Sequence, residues 1–433
     1  MTVAIVGGGL AGLFTATRLL QTGHDDVVVF ESSGSAGGVT RSVSRDGYML
    51  EPGAGSFALP HPHLSSLLAG TRLRPAEPTA RVRHVWTGER LVNLAPGPAA
   101  VAAPVVPVRA KLRGILDVLV AEPPGDDDES LETFLRRRLG NRLGHTAAWL
   151  AASGVYAGDP TRLSARSAFP ALTGLVAAEG SLVKGAVRRF RSRPPDAARP
   201  TMHLPTTTMA DLADELATGL GDRWRSGHTV DAVRRHGRRW IVEGTDRMEA
   251  DHVVLACAPQ AAARLVDGPL SSALTGGSRA PVLVVGLGGP ADGMPLPDGF
   301  GILTGPDART STRGILLESS YAPHRAPAAH SLVKVIAGGA PRDPIVDADD
   351  QTVINRVGGE LARILGHDVE ASFAQVVRQL PGIPQYDVGH RNWLAQVAAA
   401  TPESLHLTGW GYRGVGVAHL AADAHRIAGE IAA

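Results

Sequence analysis

The sequence predicts an α/β fold in which one parallel-sheet domain is interrupted by insertions, and three features predict it. The first residues read as strand, glycine turn, helix and second strand. The stretch from about residue 105 to 200 is helical in pattern. Strand signals return after it, and the chain closes on a glycine-rich turn and a helix. At 433 residues and about 150 per domain, two or three structural units are expected. With 44% apolar and 20% charged residues the chain buries a sizeable core and is not disordered.

Taken in order, Val3 to Val6 is a short apolar run that Gly7 to Gly9 breaks. Leu10 to Gln21 has helical spacing through Leu13, Thr17 and Leu20, and Gly23 stops it. Val27 to Phe30 is a second buried strand ending in Glu31, which completes a βαβ unit with parallel strands. Further on, Asp126 to Ser130 leads into a helix over Leu131 to Leu139, where Arg136, Arg137 and Arg138 precede Gly140. Acids at the start and arginines at the end complement the helix dipole, so this charge run reads as a structural device and not a binding site. Arg188 to Pro200 is rich in Arg, Pro and Ala and reads as a loop or boundary. Strands are expected at Trp240–Val242, Val253–Ala256, Val282–Val285 and Leu332–Ile336, and a strand, turn and helix over Leu405–Ala433. No internal repeat is apparent.

Composition excludes several classes. With 43 basic and 42 acidic residues, no bulk field attracts nucleic acid. The only three lysines, Lys111, Lys184 and Lys334, all lack a preceding glycine, so there is no Walker-type phosphate loop. The single cysteine, Cys257, excludes a disulfide framework, a zinc-thiolate site and a Cys-ligated cluster, and reads as a buried thiol at a strand end. That usage suits a reducing compartment, and a cytoplasmic location is expected. No metal site is expected either: His61-Pro62-His63 is the nearest thing to a ligand pair and reads as an exposed proline loop. No signal peptide is read at the N-terminus. The best apolar stretch, Leu94 to Val108, is broken by four prolines, so no transmembrane segment is expected, while peripheral contact with a membrane stays open.

Chemistry enters with Gly7-x-Gly9-x-x-Gly12, set between strand and helix. The first glycine allows the tight turn, the second lets backbone approach a pyrophosphate, and the third lets helix and strand pack closely. Glu31 stands where a carboxylate accepts ribose hydroxyls, and an acid there argues against a 2′-phosphate. Glu31 is followed by Gly37-Gly38-Val39-Thr40-Arg41-Ser42. This resembles the second signature of the glutathione-reductase-like FAD proteins of the amine oxidase superfamily. The resemblance implies FAD, with Gly37 and Gly38 passing close to the diphosphate and Arg41 offering charge to the phosphates.

Further segments narrow the likeness. Glu51-Pro52-Gly53-Ala54-Gly55-Ser56-Phe57, Asp128-Glu129-Ser130, Gly154 to Pro160, Leu163-Ser164 and Ala168-Phe169-Pro170 follow one another in order. Glu179 to Leu182, Gly299 to Leu303, Arg325-Ala326-Pro327, Pro384-Gln385-Tyr386, Val388-Gly389-His390 and Tyr412 to Val417 continue them. In this order they resemble the bacterial protoporphyrinogen/coproporphyrinogen III oxidase family over nearly the whole chain. Departures mark a diverged member: Ala54 replaces a proline, Thr206-Thr207-Thr208-Met209 stands for Gly-Gly-Met, and Ala418 to Ala424 replaces the family ending.

The resemblance implies a glutathione-reductase-like FAD-binding Rossmann domain (1–60, 201–265, 376–433), a mixed-sheet substrate domain (61–105, 266–375) and a helical insertion (106–200). It adds Val230, Gly409, Val415, Gly416 and Val417 to the cofactor contacts. The implied reaction is a six-electron oxidation of a porphyrinogen to a porphyrin in haem biosynthesis, coproporphyrinogen III favoured or protoporphyrinogen IX. Flavin would take a hydride in each of three rounds, and O2 would be reduced to H2O2, with a ferrochelatase downstream. Placement of the ring edge and exclusion of water are then the protein's task, with no strong base required and no catalytic residue assigned. Arg83 matches a family arginine and suits a substrate propionate through forked hydrogen bonds. Lys334 lies in an apolar strand. In amine oxidases a strand lysine holds a water near the flavin, yet an edge lysine facing solvent is the reading preferred here. Tyr386 and His390 either orient flavin or satisfy a buried turn. Two other functions stay open: an FAD oxidase of the same fold acting on an amine or specialised metabolite, and an inactive flavin-binding partner.

Overall fold

A computed structural model describes residues 1–94, 102–120, 127–191 and 200–433. Its first sheet has five strands in the order Trp224–Ser226, Val27–Glu31, Val3–Val6, His252–Leu255, Leu405–Leu407, all parallel. Strands so far apart in sequence share one sheet because the intervening chain leaves and returns. Helices Leu10–Gln21, Met209–Leu220 and Val417–Ala432 cover one face, burying Leu13, Phe14, Leu212, Leu216, Leu420 and Ile427. The other face packs on the antiparallel sheet Val230–Ala250 through Val233, Trp240 and Val242.

A second, mixed sheet has seven strands, in the order Phe373–Gln385, Ser278–Pro290, His330–Gly338, Thr312–Leu316, Gly301–Thr304, Arg83–Trp86, Leu91–Leu94. Helix Asp350–Leu365 closes over it with Val353, Val357, Leu361 and Ile364 buried. Its edge strand runs 13 residues from Phe373 to Gln385, so the expected boundary at 375/376 falls inside a strand and the sheet continues to Gln385. The expected strand at Val282–Val285 is likewise the middle of Ser278–Pro290, extended because neighbours pair with it on both sides.

The helical insertion packs around Leu131, Phe134, Leu135, Ala148, Ala152 and Tyr156. Its helix Leu131–Leu139 starts where Ser130 Oγ accepts from Thr133 N at 3.1 Å and stops at Gly140, φ +81°. The arginine run does more than face the dipole. Arg138 is fully buried, with Nη1 at 3.3 Å from Asp117 Oδ1 and donating to Val120 O (2.8 Å) and Gly180 O (3.0 Å). Arg188 to Arg191 form the last turn of helix Leu182–Arg191, not a loop. The rest of that expected loop, residues 192–199, lies outside the described residues, as do Asp126 and residues 95–101 of the apolar stretch. Among the described residues no helix is long and apolar enough to cross a membrane.

Candidate functional site

The site is built at the carboxyl ends of the parallel strands, where ligands bind in open α/β sheets. Gly7 takes φ +113°, and a Cβ there would stand 2.7 Å from Ala256 O. At Gly12 a Cβ would meet Gly7 O at 2.0 Å, so this glycine is required by helix–strand contact alone. Gly9 is different: its nearest neighbours would be Gly37 O at 3.9 Å and Gly38 Cα at 4.0 Å, leaving the space above it open. Gly9 pairs with Gly37, whose N–H donates to Gly8 O at 2.9 Å, so the two glycine turns lie against each other. Glu31 closes the cradle: Oε2 accepts from Gly8 N at 2.8 Å, and Oε1 accepts from Ser33 N (2.8 Å) and Ser33 Oγ (2.7 Å). Arg41 is exposed on the rim and donates to Ser33 Oγ at 2.5 Å.

Next to this cradle, strand Leu405–Leu407 ends in the turn Gly409–Gly416, with φ +127° at Gly409 and +132° at Gly414. Gly409 borders Cys257 O, beside the Ala256–Cys257 backbone that Gly7 also approaches. Val415 and Gly416 are half-buried, and Val417 is buried as the first residue of helix Val417–Ala432. Val230 stands apart, half-buried at the start of the antiparallel sheet. The preceding turn ties it to the cradle, Gly227 N donating to Ser33 O and His228 N to Glu31 O, each at 2.9 Å.

These residues fit an anionic dinucleotide. Neither helix Leu10–Gln21 nor Val417–Ala432 has a side-chain N-cap or an acid in its first turn, so both present free N–H groups and positive dipole ends. The hydroxyl of Thr408 and the indole N–H of Trp410, flanking Gly409, are buried without a hydrogen-bond partner among the described residues. Burial pushes the Cys257 thiol up to about 12, so it stays a neutral thiol.

The segment after the second glycine turn leads from the cradle to a buried ion cluster. Gly53 packs against Val39, where a Cβ would stand 2.3 Å from Val39 O. Glu51 is wholly buried, its carboxylate accepting from Ser42 Oγ (2.7 Å) and from Met209 N (3.0 Å) at the start of helix Met209–Leu220. Burial raises its pKa. Lys334 is not the expected solvent-facing edge lysine. It is 4% exposed in an inner strand, paired on both sides, donating to Glu51 O at 2.9 Å and lying 3.1 Å from Glu318 Oε1. Arg325 completes the cluster: it pairs with Glu318 and donates to Gly55 O at 3.0 Å. Burial pushes the Glu318 carboxyl up, but Lys334 and Arg325 outweigh it and hold the carboxyl at about 2. No local sequence signal marked Glu318, because its partners come from other strands and loops.

Arg83 lies beyond this cluster. It is exposed, with its guanidinium 5.5 Å from the Phe300 ring centre, and it lines a cavity of about 180 Å³ with Arg81, Thr201 and Met202. Phe300 in turn packs on Tyr321 at 4.4 Å, and Tyr321 OH is 3.3 Å from Arg325. Strand Phe57–Leu59, pairing with Thr201–Pro205, joins the cavity to Glu51–Gly55. His61 is not in a free loop: its Nδ1 accepts from Leu64 N at 3.3 Å and caps helix Pro62–Leu68, while His63 stacks on His425 at 4.1 Å.

Known proteins resemble this chain over nearly its whole length. The chain is 28% identical to the chloroplastic protoporphyrinogen oxidase of Oryza sativa subsp. japonica, over 99% of this chain and 87% of that protein. It is 27% identical to the coproporphyrinogen III oxidase of Mycobacterium tuberculosis, over 95% and 93% of the two chains. The crystal structure of a putative protoporphyrinogen oxidase from Exiguobacterium sp. 255-15 superposes with a TM-score of 0.84 at 21% identity, covering 99% of this chain and 98% of that one. The family described as "Flavin containing amine oxidoreductase" matches residues 10–423. The chain therefore belongs to the flavin containing amine oxidoreductase family, and its cofactor is FAD.

Proposed function

We propose that the protein oxidises a porphyrinogen, coproporphyrinogen III in preference to protoporphyrinogen IX, to the porphyrin, as a step of haem biosynthesis upstream of a ferrochelatase. The observation that carries this reading is the cavity lined by Arg83 and by Arg81, the latter paired with Glu77, and joined by one short strand to the Glu51–Gly55 segment beside the glycine cradle. The names of the relatives, which are porphyrinogen oxidases, support it. Bound FAD would supply the two-electron redox chemistry, with O2 as the proposed acceptor reduced to H2O2. Gly7, Gly9, Gly12, Glu31, Gly37, Gly38 and Arg41 would hold the adenosine diphosphate end, with Val230 beyond Glu31. Gly409, Val415, Gly416 and Val417 would face the ring end.

The remaining work falls to this chain's residues. A cavity of about 180 Å³ is smaller than the roughly 300–1,000 Å³ of a whole-ligand site, so it suits a propionate arm. Arg83, over the Phe300 ring, would present forked donors to that carboxylate. Lys334, committed to Glu318 and to Glu51 O, braces the segment that borders the cradle. No base is assigned, since the bridging hydrogens of a porphyrinogen are activated by its pyrroles.

Burial of Lys334 is the one feature that favours an amine instead. The decisive experiment mixes FAD-loaded protein anaerobically with each porphyrinogen and with an amine such as putrescine. Bleaching of the flavin band by a porphyrinogen is expected, and bleaching by the amine alone would replace this reading. If neither porphyrinogen bleaches tightly bound FAD, the porphyrinogen reading falls; an inactive partner would in addition give no peroxide. Arg83→Ala should raise KM for the porphyrinogen about tenfold, the scale of a charged hydrogen bond, with kcat little changed. An unchanged KM would remove Arg83 from the site.

A further inference from the structure

We propose that Tyr386 is a positioning residue that sets the shape of the Gly409–Gly416 turn and so tunes FAD, resting on the reading that this turn faces the flavin. The turn does not determine its own shape: four of its residues, Gly409, Gly411, Gly414 and Gly416, have no side chain, and two of these sit at φ values of +127° and +132°. One internal backbone bond spans it, Tyr412 N to Gly409 O at 3.2 Å. Tyr386 supplies what is missing. Its ring is 3% exposed, and its hydroxyl donates to Trp410 O at 2.7 Å while accepting from Gly414 N at 2.5 Å. One oxygen thus fixes both limbs of the turn just before helix Val417–Ala432 begins. His390 stacks on the Tyr386 ring at 4.1 Å and brings Nε2 to 3.1 Å from Tyr412 O, a third hold on the same backbone.

Tyr386 is itself held from behind by the helical insertion. Ser164 N donates to Tyr386 O at 2.8 Å, and Val388 N to Arg162 O at 2.8 Å. Asp128 clasps both sides, accepting from Ser164 Oγ at 2.5 Å and from Gly389 N at 2.9 Å. Segments from distant parts of the sequence, at 128–130, 162–164, 386–390 and 410–414, are therefore one continuous seam. The insertion reaches the turn through Tyr386 and His390, and through Val415 packed against its core.

Tyr386→Phe removes that hydroxyl and keeps the ring. FAD titration by flavin fluorescence, the bound flavin's visible spectrum and its reduction potential, and apoprotein melting would be measured on the full chain. Expected are a Kd for FAD raised about tenfold, from two hydrogen bonds of ordinary strength, and a shifted flavin band and potential. A variant with wild-type Kd, spectrum and potential overturns the proposal, as does one whose melting falls while all three flavin readouts stay put. Should Tyr386→Phe not fold, His390→Gln takes its place: a raised Kd with a shifted band supports the positioning role, and wild-type flavin behaviour refutes it. A wild-type protein that binds FAD yet bleaches with no porphyrinogen would sink the substrate reading and leave this one standing.

Discussion

Two glycines three residues apart answer to different forces. Gly12 has no room for a Cβ, which would stand 2.0 Å from the Gly7 carbonyl oxygen, whereas Gly9 has room but borders open space. Gly12→Ala should therefore lower the melting temperature of the apoprotein itself. Gly9→Ala should leave apoprotein melting within about a degree and, on the proposed cofactor placement, weaken FAD at least tenfold, because the added methyl enters only the open space above the cradle. Isothermal titration beside apoprotein melting separates the two, and equal effects on both readouts would refute the distinction. The spacing of these glycines was legible in the sequence because a turn between strand and helix needs them locally. Which of them is crowded and which borders open space depends on Ala256 and Gly37, which come from elsewhere in the chain.

At the scale of elements, helix starts were legible and strand lengths were not. Caps are local: Ser130 and Gly140 bound the helix Leu131–Leu139 as its sequence suggests. Thr208, which stands where the porphyrinogen oxidase pattern has glycine, turns out to be a cap as well. Its Oγ accepts from Asp211 N at 3.0 Å, and Asp211 Oδ2 accepts from Thr208 N at 2.8 Å, a reciprocal capping box at helix Met209–Leu220. Thr208→Ala should cost about 1 kcal/mol in a urea melt, and Thr208→Gly less. A loss from Thr208→Ala within error of zero would mean that Glu51, bonded to Met209 N, caps the helix unaided. Strand ends, by contrast, depend on how far a neighbour continues, as at Phe373–Gln385.

Across the whole molecule, the Glu51–Glu318–Arg325–Lys334 cluster ties the seven-stranded sheet to the segment beside the cradle. Glu318 is held at about 2, below its ordinary 4.5. A carboxyl with a lowered folded pKa contributes stability that is fully present above 4.5 and is lost as pH falls toward about 2. Lys334→Met leaves Glu318 with one cation fewer, and should cost about 3 kcal/mol at pH 7. Its acid unfolding should begin at higher pH than in the wild type, and the gap between them should narrow as pH approaches 2. Urea melts across this range check it, and a constant gap would show that Lys334 acts by packing alone.

The sequence by itself determined the parallel α/β frame, the glycine cradle and its acid, and the likeness to flavoproteins, because each rests on residues close together along the chain. Only the tertiary structure decided that Lys334 is buried and ion-paired, that His61 is a helix cap, that Arg138 is a buried partner of Asp117, and that Tyr386 braces the Gly409–Gly416 turn. The physical reason is common to all four. Burial and charge pairing depend on partners brought together from distant parts of the chain, while turn and cap chemistry is settled within a few residues.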